Sequence, residues 1–222
     1  MLGVAGVAGN GQEELVEVLT GLRAPTAGEV LLDGTPMDAA RGAKAFIDGG
    51  GALVPEDRHR AGVALGMTLW ENIVMKEVGR PGLTNRGFMN RPRAREIAEK
   101  IVGEYEIKAP GIDTPMGQLS GGNQQKAVFG RELRRGPRFL IASQPTRGLD
   151  VGAMEFVYRR INQQKEAGSA ILLISSELDE VLSLSDRIAV ICDGRIMQIL
   201  EADEADPELI GLLMAGEGGV RQ

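Results

Sequence analysis

Three short segments of this 222-residue chain combine residue types at spacings that suit phosphate chemistry. The first is a glycine-rich turn at residues 6–13 with the pattern G-x-x-G-x-G. Glycines at this spacing allow backbone N–H groups to turn inward around a phosphate at the start of a helix. The turn therefore predicts a phosphate-binding loop, and its candidate nucleotide-binding residues are Gly6, Gly9, Asn10, Gly11, Gln12 and Glu13.

The two residues after the last glycine of this turn do not suit a phosphate. A phosphate loop continues with Lys and then Ser or Thr, whereas this chain has Gln12 and Glu13. A carboxylate about 4 Å from a phosphate costs roughly 4 kcal/mol at an effective dielectric near 20, unless a cation bridges the two. Acids are also favoured in the first turn of any helix, so Glu13 and Glu14 leave nucleotide binding and a simple helix start as equal alternatives.

The second segment, residues 119–126, reads LSGGNQQK. Ser120 is a suitable N-cap, and Gly121 and Gly122 expose backbone donors at the start of the helix that is predicted to follow. These N–H groups and the Ser120 hydroxyl could grip a terminal phosphate that is presented from outside the chain. The candidate residues for this role are Leu119, Ser120, Gly121, Gly122, Asn123 and Gln124.

The third segment is an apolar strand that ends at Ser143 and Gln144 and leads to Leu149 and Asp150. A glutamine can orient a water molecule but cannot take its proton. Losing a positioned general base typically costs about 10²–10⁴-fold in rate. If Gln144 stands where a general base is needed, the site should therefore hydrolyse a phosphoanhydride poorly.

Together these segments resemble the motifs of ATP-binding cassette (ABC) transporter ATPases, and LSGGNQQK is the form typical of sugar and nucleoside importers. In that family the signature motif clamps the γ-phosphate of an ATP molecule that the opposing cassette holds. The family's magnesium-binding Asp, catalytic Glu and switch His correspond here to Ser143, Gln144 and Ser176. The resemblance therefore implies degenerate catalytic positions and no metal ligand in this chain.

The resemblance also implies roles for two further loops. Gly148, Leu149 and Asp150 match the loop that crosses the dimer interface. Glu56, Asp57 and Arg58 lie in a loop that resembles the family's lever to the transmembrane subunit, and an exposed charged turn is the alternative interpretation. His59, the only histidine, is predicted to be solvated.

The elements that must position these segments alternate between strand and helix patterns. Strands are predicted at residues 1–8, 29–33, 52–55, 138–142, 170–175, 187–192 and 196–200, and helices at 13–22, 69–75, 92–105, 152–164, 178–182 and after Ser120. The fold class is α/β: a P-loop NTPase (ABC ATPase) core with a parallel sheet and an inserted helical subdomain. The predicted core is 1–67 and 134–222, and the predicted helical subdomain is 68–133.

Composition narrows the possible partners. The net charge is −6 and no basic block occurs, which argues against nucleic acid. Cys192 lies in an apolar run and is predicted to fill the core. No run approaches the roughly 20 apolar residues that span a bilayer, and no signal peptide is expected. Any membrane association should therefore come through a protein partner.

The resemblance covers residues 3 to about 213 and implies the second (C-terminal) cassette of a tandem ABC import ATPase for simple sugars or nucleosides. The family's antiparallel strands with an adenine-stacking aromatic should precede Gly3, so an N-terminally truncated cassette is expected. The implied ligand is ATP with Mg²⁺ in composite sites. The implied partners are an N-terminal cassette in the same polypeptide, transmembrane permease subunits and a solute-binding protein, at the cytoplasmic side of a bacterial inner membrane.

Two alternatives remain open from the residues alone. The chain could be an autonomous ATPase cassette, which magnesium-dependent turnover by the purified chain would support. It could also be an ABC-type ATPase that is not coupled to transport, although it has neither a long heptad insertion nor a basic linker. The expectation from Gln12 and Gln144 is that the isolated chain is weakly active or inactive.

Overall fold

The computed structural model of this chain describes residues 1–217. Its strands are β1 (Leu2–Ala5), β2 (Leu31–Leu32), β3 (Thr35–Pro36), β4 (Gly51–Val54), β5 (Thr84–Asn85), β6 (Phe88–Met89), β7 (Phe139–Ser143), β8 (Ala170–Ser175), β9 (Arg187–Cys192) and β10 (Arg195–Glu201). Its helices are α1 (Gln12–Leu19), α2 (Ala43–Asp48), α3 (Leu69–Val74), α4 (Arg91–Glu104), α5 (Gly121–Leu133), α6 (Val151–Glu166), α7 (Leu178–Leu184) and α8 (Pro207–Met214). Within residues 1–217, no helix has the length and apolar character to cross a membrane.

The described chain forms two compact units. The first unit consists of Met1–Leu53, Pro137–Pro145 and the described residues from Asn162 onward. The second unit consists of Val54–Gly136 and Thr146–Ile161. The second unit is thus larger than the helical subdomain predicted at 68–133, whose bounds as a subdomain stay a prediction.

The first unit is built on a six-stranded sheet with the order β10-β9-β1-β8-β7-β4. Strand β1 runs parallel to β8 and β9, β7 runs parallel to β8, and β10 is antiparallel to β9. The predicted α/β fold with a parallel sheet is confirmed. The register pairs Ala5 with Ser175 and Ser143 with Ile174. Because carboxyl ends of parallel strands meet at one edge, the loops after β1, β7 and β8 come together there.

Apolar strand residues explain why these strands lie in the centre of the first unit. Val4, Ile141 and Ile174 are at most 1% exposed and pack with Val16 of α1 and Phe46 of α2. Near-continuous apolar strands are expected where helices cover both faces of a parallel sheet. Cys192 is buried and unbridged, as the sequence predicted.

The second unit is mainly helical and holds the signature. Helix α3 begins with a capping box, in which Glu71 accepts from the Thr68 backbone at 2.9 Å. Helices α4 and α5 approach closely at Gly130, where a Cβ atom would lie 2.5 Å from Ile101. Asn72 is 1% exposed. Its side-chain amide accepts from the Ala64 N–H and donates to the Ala64 carbonyl, which fixes the segment before α3. These contacts order the start of α3 and hold α4 against α5 within the second unit.

Several predicted elements are wrong in detail. The strand predicted at 29–33 is instead a two-residue strand paired with β3, because Leu31 is 52% exposed and buries little apolar surface. The first helix ends at Leu19, so Leu22 does not join its buried face and is 62% exposed. The strand predicted at 1–8 stops at Ala5, where the glycine-rich turn begins. Val102 is only half-buried, although it was predicted to face inward.

Candidate phosphate-binding and signature sites

The glycine-rich loop has the backbone conformation of a phosphate loop. Gly9 and Gly11 have φ angles of 88° and 102°, which L-residues other than glycine rarely adopt. A Cβ atom on Gly9 would meet nothing within 4 Å, so the outer side of the loop is open. Gly6 is enclosed instead, because a Cβ atom there would lie 2.5 Å from Ile191. The glycine spacing is therefore required by local geometry.

The side chain of Gln12 closes this loop from inside. Its Oε1 accepts from the Asn10 N–H at 2.9 Å, and its Nε2 donates to the Val7 carbonyl at 2.9 Å. Gln12 is 9% exposed, so these bonds are largely shielded from water. The Asn10 N–H donates to this amide oxygen. In a phosphate-binding loop, an N–H of this kind donates to the phosphate instead. One N–H and one carbonyl of the loop are thus bonded by a neutral side chain of the loop's own helix.

The surroundings of the loop are acidic. A cleft of about 480 Å³ lies beside it and is lined in part by Gly9, Glu14 and Asp193. None of the described residues that line this cleft is basic. The Asn10 side chain fastens the loop to the β9–β10 turn by accepting from the Asp193 N–H at 3.2 Å. The two carboxylates on this cleft therefore disfavour a polyphosphate there.

Gln144 and Ser176, which were predicted to be degenerate catalytic positions, are hydrogen-bonded to each other. The Gln144 Oε1 accepts from the Ser176 N–H at 3.3 Å and from its hydroxyl at 3.2 Å. Gln144 has a φ angle of 46°, a strained value for a residue with a side chain. Such strain is common at functional positions. The Gln144 backbone is therefore strained, and its side-chain amide is bonded to a serine.

The first unit does not fit catalysis through ATP and Mg²⁺ on its own loop. Gln12 supplies no cation, and Glu13 places a carboxylate where a hydroxyl ligand is normally found. Ser143, at the position of the magnesium Asp, is 4% exposed and carries no charge. Among residues 1–217, no group of three or more His, Cys, Asp or Glu side chains could hold a metal ion.

The signature lies at the beginning of α5 in the second unit. Ser120 is the N-cap, as predicted, and its Oγ accepts from the Asn123 side chain at 2.9 Å. Asn123 in turn accepts from the Lys108 N–H at 2.8 Å. Ser120 is exposed, and Gly121 and Gly122 are half-exposed. The N–H of Asn123 is used by the Ser120 hydroxyl, whereas the glycines before it remain partly accessible beside an exposed hydroxyl, an arrangement that can bind an anion.

The loop predicted to cross a dimer interface lies against the LSGGNQQK segment within the second unit. A Cβ atom on Gly122 would lie 3.2 Å from Ala153 and 3.9 Å from the Asp150 carboxylate. Asp150 caps α6 by accepting from the Ala153 N–H at 2.9 Å. Gly148 has a φ angle of 69°, and Leu149 is half-buried. A glycine at position 122 is what allows α5 and the start of α6 to approach this closely.

The loop with Glu56, Asp57 and Arg58 is ordered by its own polar groups. The Asp57 carboxylate accepts from the N–H groups of Arg60 and His59, and the hydrogen bond from Arg60 is the main cause that lowers the pKa of Asp57. Arg58–Gly62 forms one π-helical turn, which the sequence did not predict. Glu56 forms an ion pair with Arg147 of the dimer-crossing segment.

His59 is exposed, as predicted, but one of its ring nitrogens has a partner that the sequence did not indicate. Its Nε2 lies 2.9 Å from the Oε1 of Gln124, which is 3% exposed. The sequence contained a signal that could have indicated this contact: Gln124 follows the helix N-cap by four residues, and a buried amide there needs partners. The sequence could not show that the partner lies 65 residues away.

Comparison with known proteins assigns the chain to a family. A family model described as ABC transporter matches residues 1–147, which is more than half of the chain. The chain belongs to the ABC transporter family. This family binds ATP with Mg²⁺, and the predicted resemblance is confirmed at this level.

Relatives in the ABC family include import proteins for two solute classes. The chain is 44% identical over 216 residues to the guanosine import ATP-binding protein NupO of Bacillus subtilis (strain 168), covering 97% of this chain and 42% of NupO. It is 40% identical over 221 residues to the ribose import ATP-binding protein RbsA of Geobacillus kaustophilus (strain HTA426), covering 100% of this chain and 44% of RbsA. The chain therefore spans less than half the length of these relatives.

A solved cassette confirms the ABC ATPase fold. The chain superposes with a TM-score of 0.75 on the ATP-binding cassette MJ0796 in a dimeric, post-hydrolysis state bound to ADP and Pi. The match covers 91% of this chain and 85% of that chain at 21% identity. At that identity the match speaks for the fold alone.

Proposed function

We propose that this chain is a degenerate nucleotide-binding domain of an ABC importer ATPase for nucleosides or simple sugars. Its signature residues 119–124 complete the hydrolytic ATP site of a partner cassette, which precedes it in the same polypeptide. The nucleotide-driven movement of the cassettes reaches the permease subunits through Glu56, Asp57 and Arg58. A solute-binding protein delivers the solute on the outer side. The chain itself is peripheral at the cytoplasmic side of a bacterial inner membrane. The chain covers 42% of NupO and 44% of RbsA, which leaves room for such a second cassette.

The observation that carries this proposal is the contrast between the two candidate phosphate-binding segments of the chain, the glycine-rich loop at residues 6–13 and the start of α5. Gln12 bonds to Asn10 and Val7 of its own loop. Ser120 is exposed and Gly121 and Gly122 are partly accessible instead. A helix start of this kind can bind a phosphate that another chain segment presents. Residues 6–13 would complete a second, degenerate composite site in which ATP binds weakly or not at all.

An autonomous ATPase is the second candidate function. The open outer side of the loop at Gly9 and the strained φ of Gln144 favour it, because both are features of a working pocket. Magnesium-dependent ATP turnover by the purified 222-residue chain would support this candidate and contradict the first one.

Gln12→Lys tests the proposal. We expect less than about a twofold change in ATP turnover by the full polypeptide, because Glu13 still repels a phosphate and Gln144 still supplies no base. Steady-state turnover with and without Mg²⁺ measures this effect. Gln12→Met, which is similar in length and uncharged, controls for the lost hydrogen bonds to Val7 and Asn10. A tenfold or greater rise with Lys, absent with Met, would show that the loop of this chain is catalytic.

A further inference from the structure

The loop that we assign to permease contact packs along one face of the signature helix α5. We call residues 56–62 the coupling turn. The Arg58 guanidinium lies 2.8 Å from the position of a Cβ atom on Gly121, and His59 contacts Gln124 at 2.9 Å. A Cβ atom on Gly62 would lie 3.6 Å from Val128. Positions 121, 124 and 128 follow the i, i+3, i+7 spacing of a single helical face.

The direction of the His59–Gln124 hydrogen bond follows from the other bonds of Gln124. The Gln124 Nε2 donates to the carbonyls of Met116 and Leu119, each at 3.1 Å. These two bonds use both amide hydrogens, so Oε1 faces His59 and must accept. The His59 Nε2 therefore carries the proton and donates it to Gln124. Gln124 thereby ties the 116–119 segment, which leads into the signature, to the coupling turn.

Arg58 provides a second connection from the same turn. Its Nη1 donates to the Arg147 carbonyl at 3.2 Å, while its guanidinium covers Gly121. Glu56 pairs with the side chain of the same Arg147. The coupling turn is therefore bound to the signature on one side and to the dimer-crossing segment on the other. Asp57 keeps the turn compact by capping its N–H groups.

We propose that His59 is a positioning residue, which acts through Gln124 and, with Arg58, transmits displacement of the coupling turn to the signature. The inference rests on the proposed function, since it concerns how the signature is aligned on a partner's γ-phosphate. A packed turn with directional hydrogen bonds moves with the helix it contacts, because separating them would take the donor His59 from the Oε1 of the buried Gln124. His59 needs no charge for this role and touches no reacting atom.

The first test is spectroscopic and does not depend on activity. His59 is the only histidine, so its ring signals in a ¹⁵N-labelled 222-residue chain need no further assignment. We expect the hydrogen bond to place a proton on Nε2, and the Nε2 signal to move in Gln124→Leu because its acceptor is lost. An Nε2 signal that Gln124→Leu leaves unchanged would overturn the link between the two residues.

The second test measures turnover by the full polypeptide assembled with its permease. We expect His59→Ala to lower kcat on the order of tenfold, with the KM for ATP changed less than about twofold, because ATP is held by the partner loop. His59→Gln places an amide donor near the position of Nε2 and should recover kcat to within about threefold of the original. Lys100→Ala, a substitution on the exposed side of α4, is the control for a surface change that should leave kcat unaltered.

The outcomes separate this inference from the proposed function. If Ser120→Arg abolishes turnover and His59→Ala does not lower it, the signature acts in trans but His59 does not position it. If Ser120→Arg leaves turnover intact, the proposed function fails, whatever the His59 ring signals show. An equal loss of kcat in His59→Ala and His59→Gln would also contradict a role through the donor at Nε2, provided that thermal unfolding shows both variants to be folded.

Discussion

Ser120→Arg is expected to reduce ATP turnover of the full polypeptide by at least about 100-fold, the scale of losing a positioned anion-stabilising donor. The reason is geometric: Ser120 is exposed at the N-cap of α5, beside the partly accessible Gly121 and Gly122 of that helix. A guanidinium on this site removes the hydroxyl and fills the space that a γ-phosphate requires. Steady-state phosphate release by the assembled protein measures the effect.

Two variants separate a blocked phosphate site from a damaged helix. Ser120→Ala removes the cap bonds to Asn123 without adding bulk, and loss of a cap typically costs about 1 kcal/mol of stability. Gln118→Arg places the same guanidinium on a nearby exposed position that lies before the helix. We expect Gln118→Arg to retain most of the turnover. If Ser120→Arg is as active as Gln118→Arg, the signature does not serve a partner site.

Glu132→Ala is expected to lower the free energy of unfolding by about 3–5 kcal/mol, the cost of breaking a buried ion pair from one side. Glu132 is 5% exposed and receives Arg131 at 2.9 Å and Lys76 at 2.7 Å. Arg131 is also 5% exposed, so its charge would remain buried without this carboxylate. Urea unfolding of the 222-residue chain, followed by circular dichroism, measures the change.

The matched control for Glu132 is a carboxylate that is paired at the surface. Glu96 binds Arg93 at 2.7 Å on α4, but the two side chains are 66% and 51% exposed. Exposed pairs contribute about 0–1 kcal/mol, so Glu96→Ala should change stability by less than 1 kcal/mol. Equal effects of the two substitutions would show that burial of the Arg131–Glu132 pair does not stabilise α5.

The sequence predicted the parts of the fold that depend on apolar periodicity. Strands β8 and β9 begin and end where they were predicted, because each is an uninterrupted apolar run that is buried in the sheet. The turn at Asp193 and Gly194 was predicted for a similar local reason, since both adopt positive φ angles of 47° and 71°. Local propensity and burial agreed at these positions.

The contacts that the sequence did not predict join distant residues. The His59 ring contacts Gln124 only because the coupling turn packs on α5. The bond between Gln144 and Ser176 likewise joins residues that are adjacent only through the pairing of β7 with β8. Motif matching singled out both positions but could not show that they bond to each other. The filling of the loop by Gln12 also depends on side-chain geometry that spacing does not reveal.

The most direct test of the account is to locate the nucleotide at the moment of hydrolysis. The full polypeptide is trapped with vanadate and a photoreactive ATP analogue during turnover, and the labelled peptides are identified by mass spectrometry. We expect the label on the phosphate loop of the partner cassette and at most a trace on residues 6–13 of this chain. Label concentrated on residues 6–13 would show that the pocket closed by Gln12 is the one that hydrolyses ATP, and the account would be wrong.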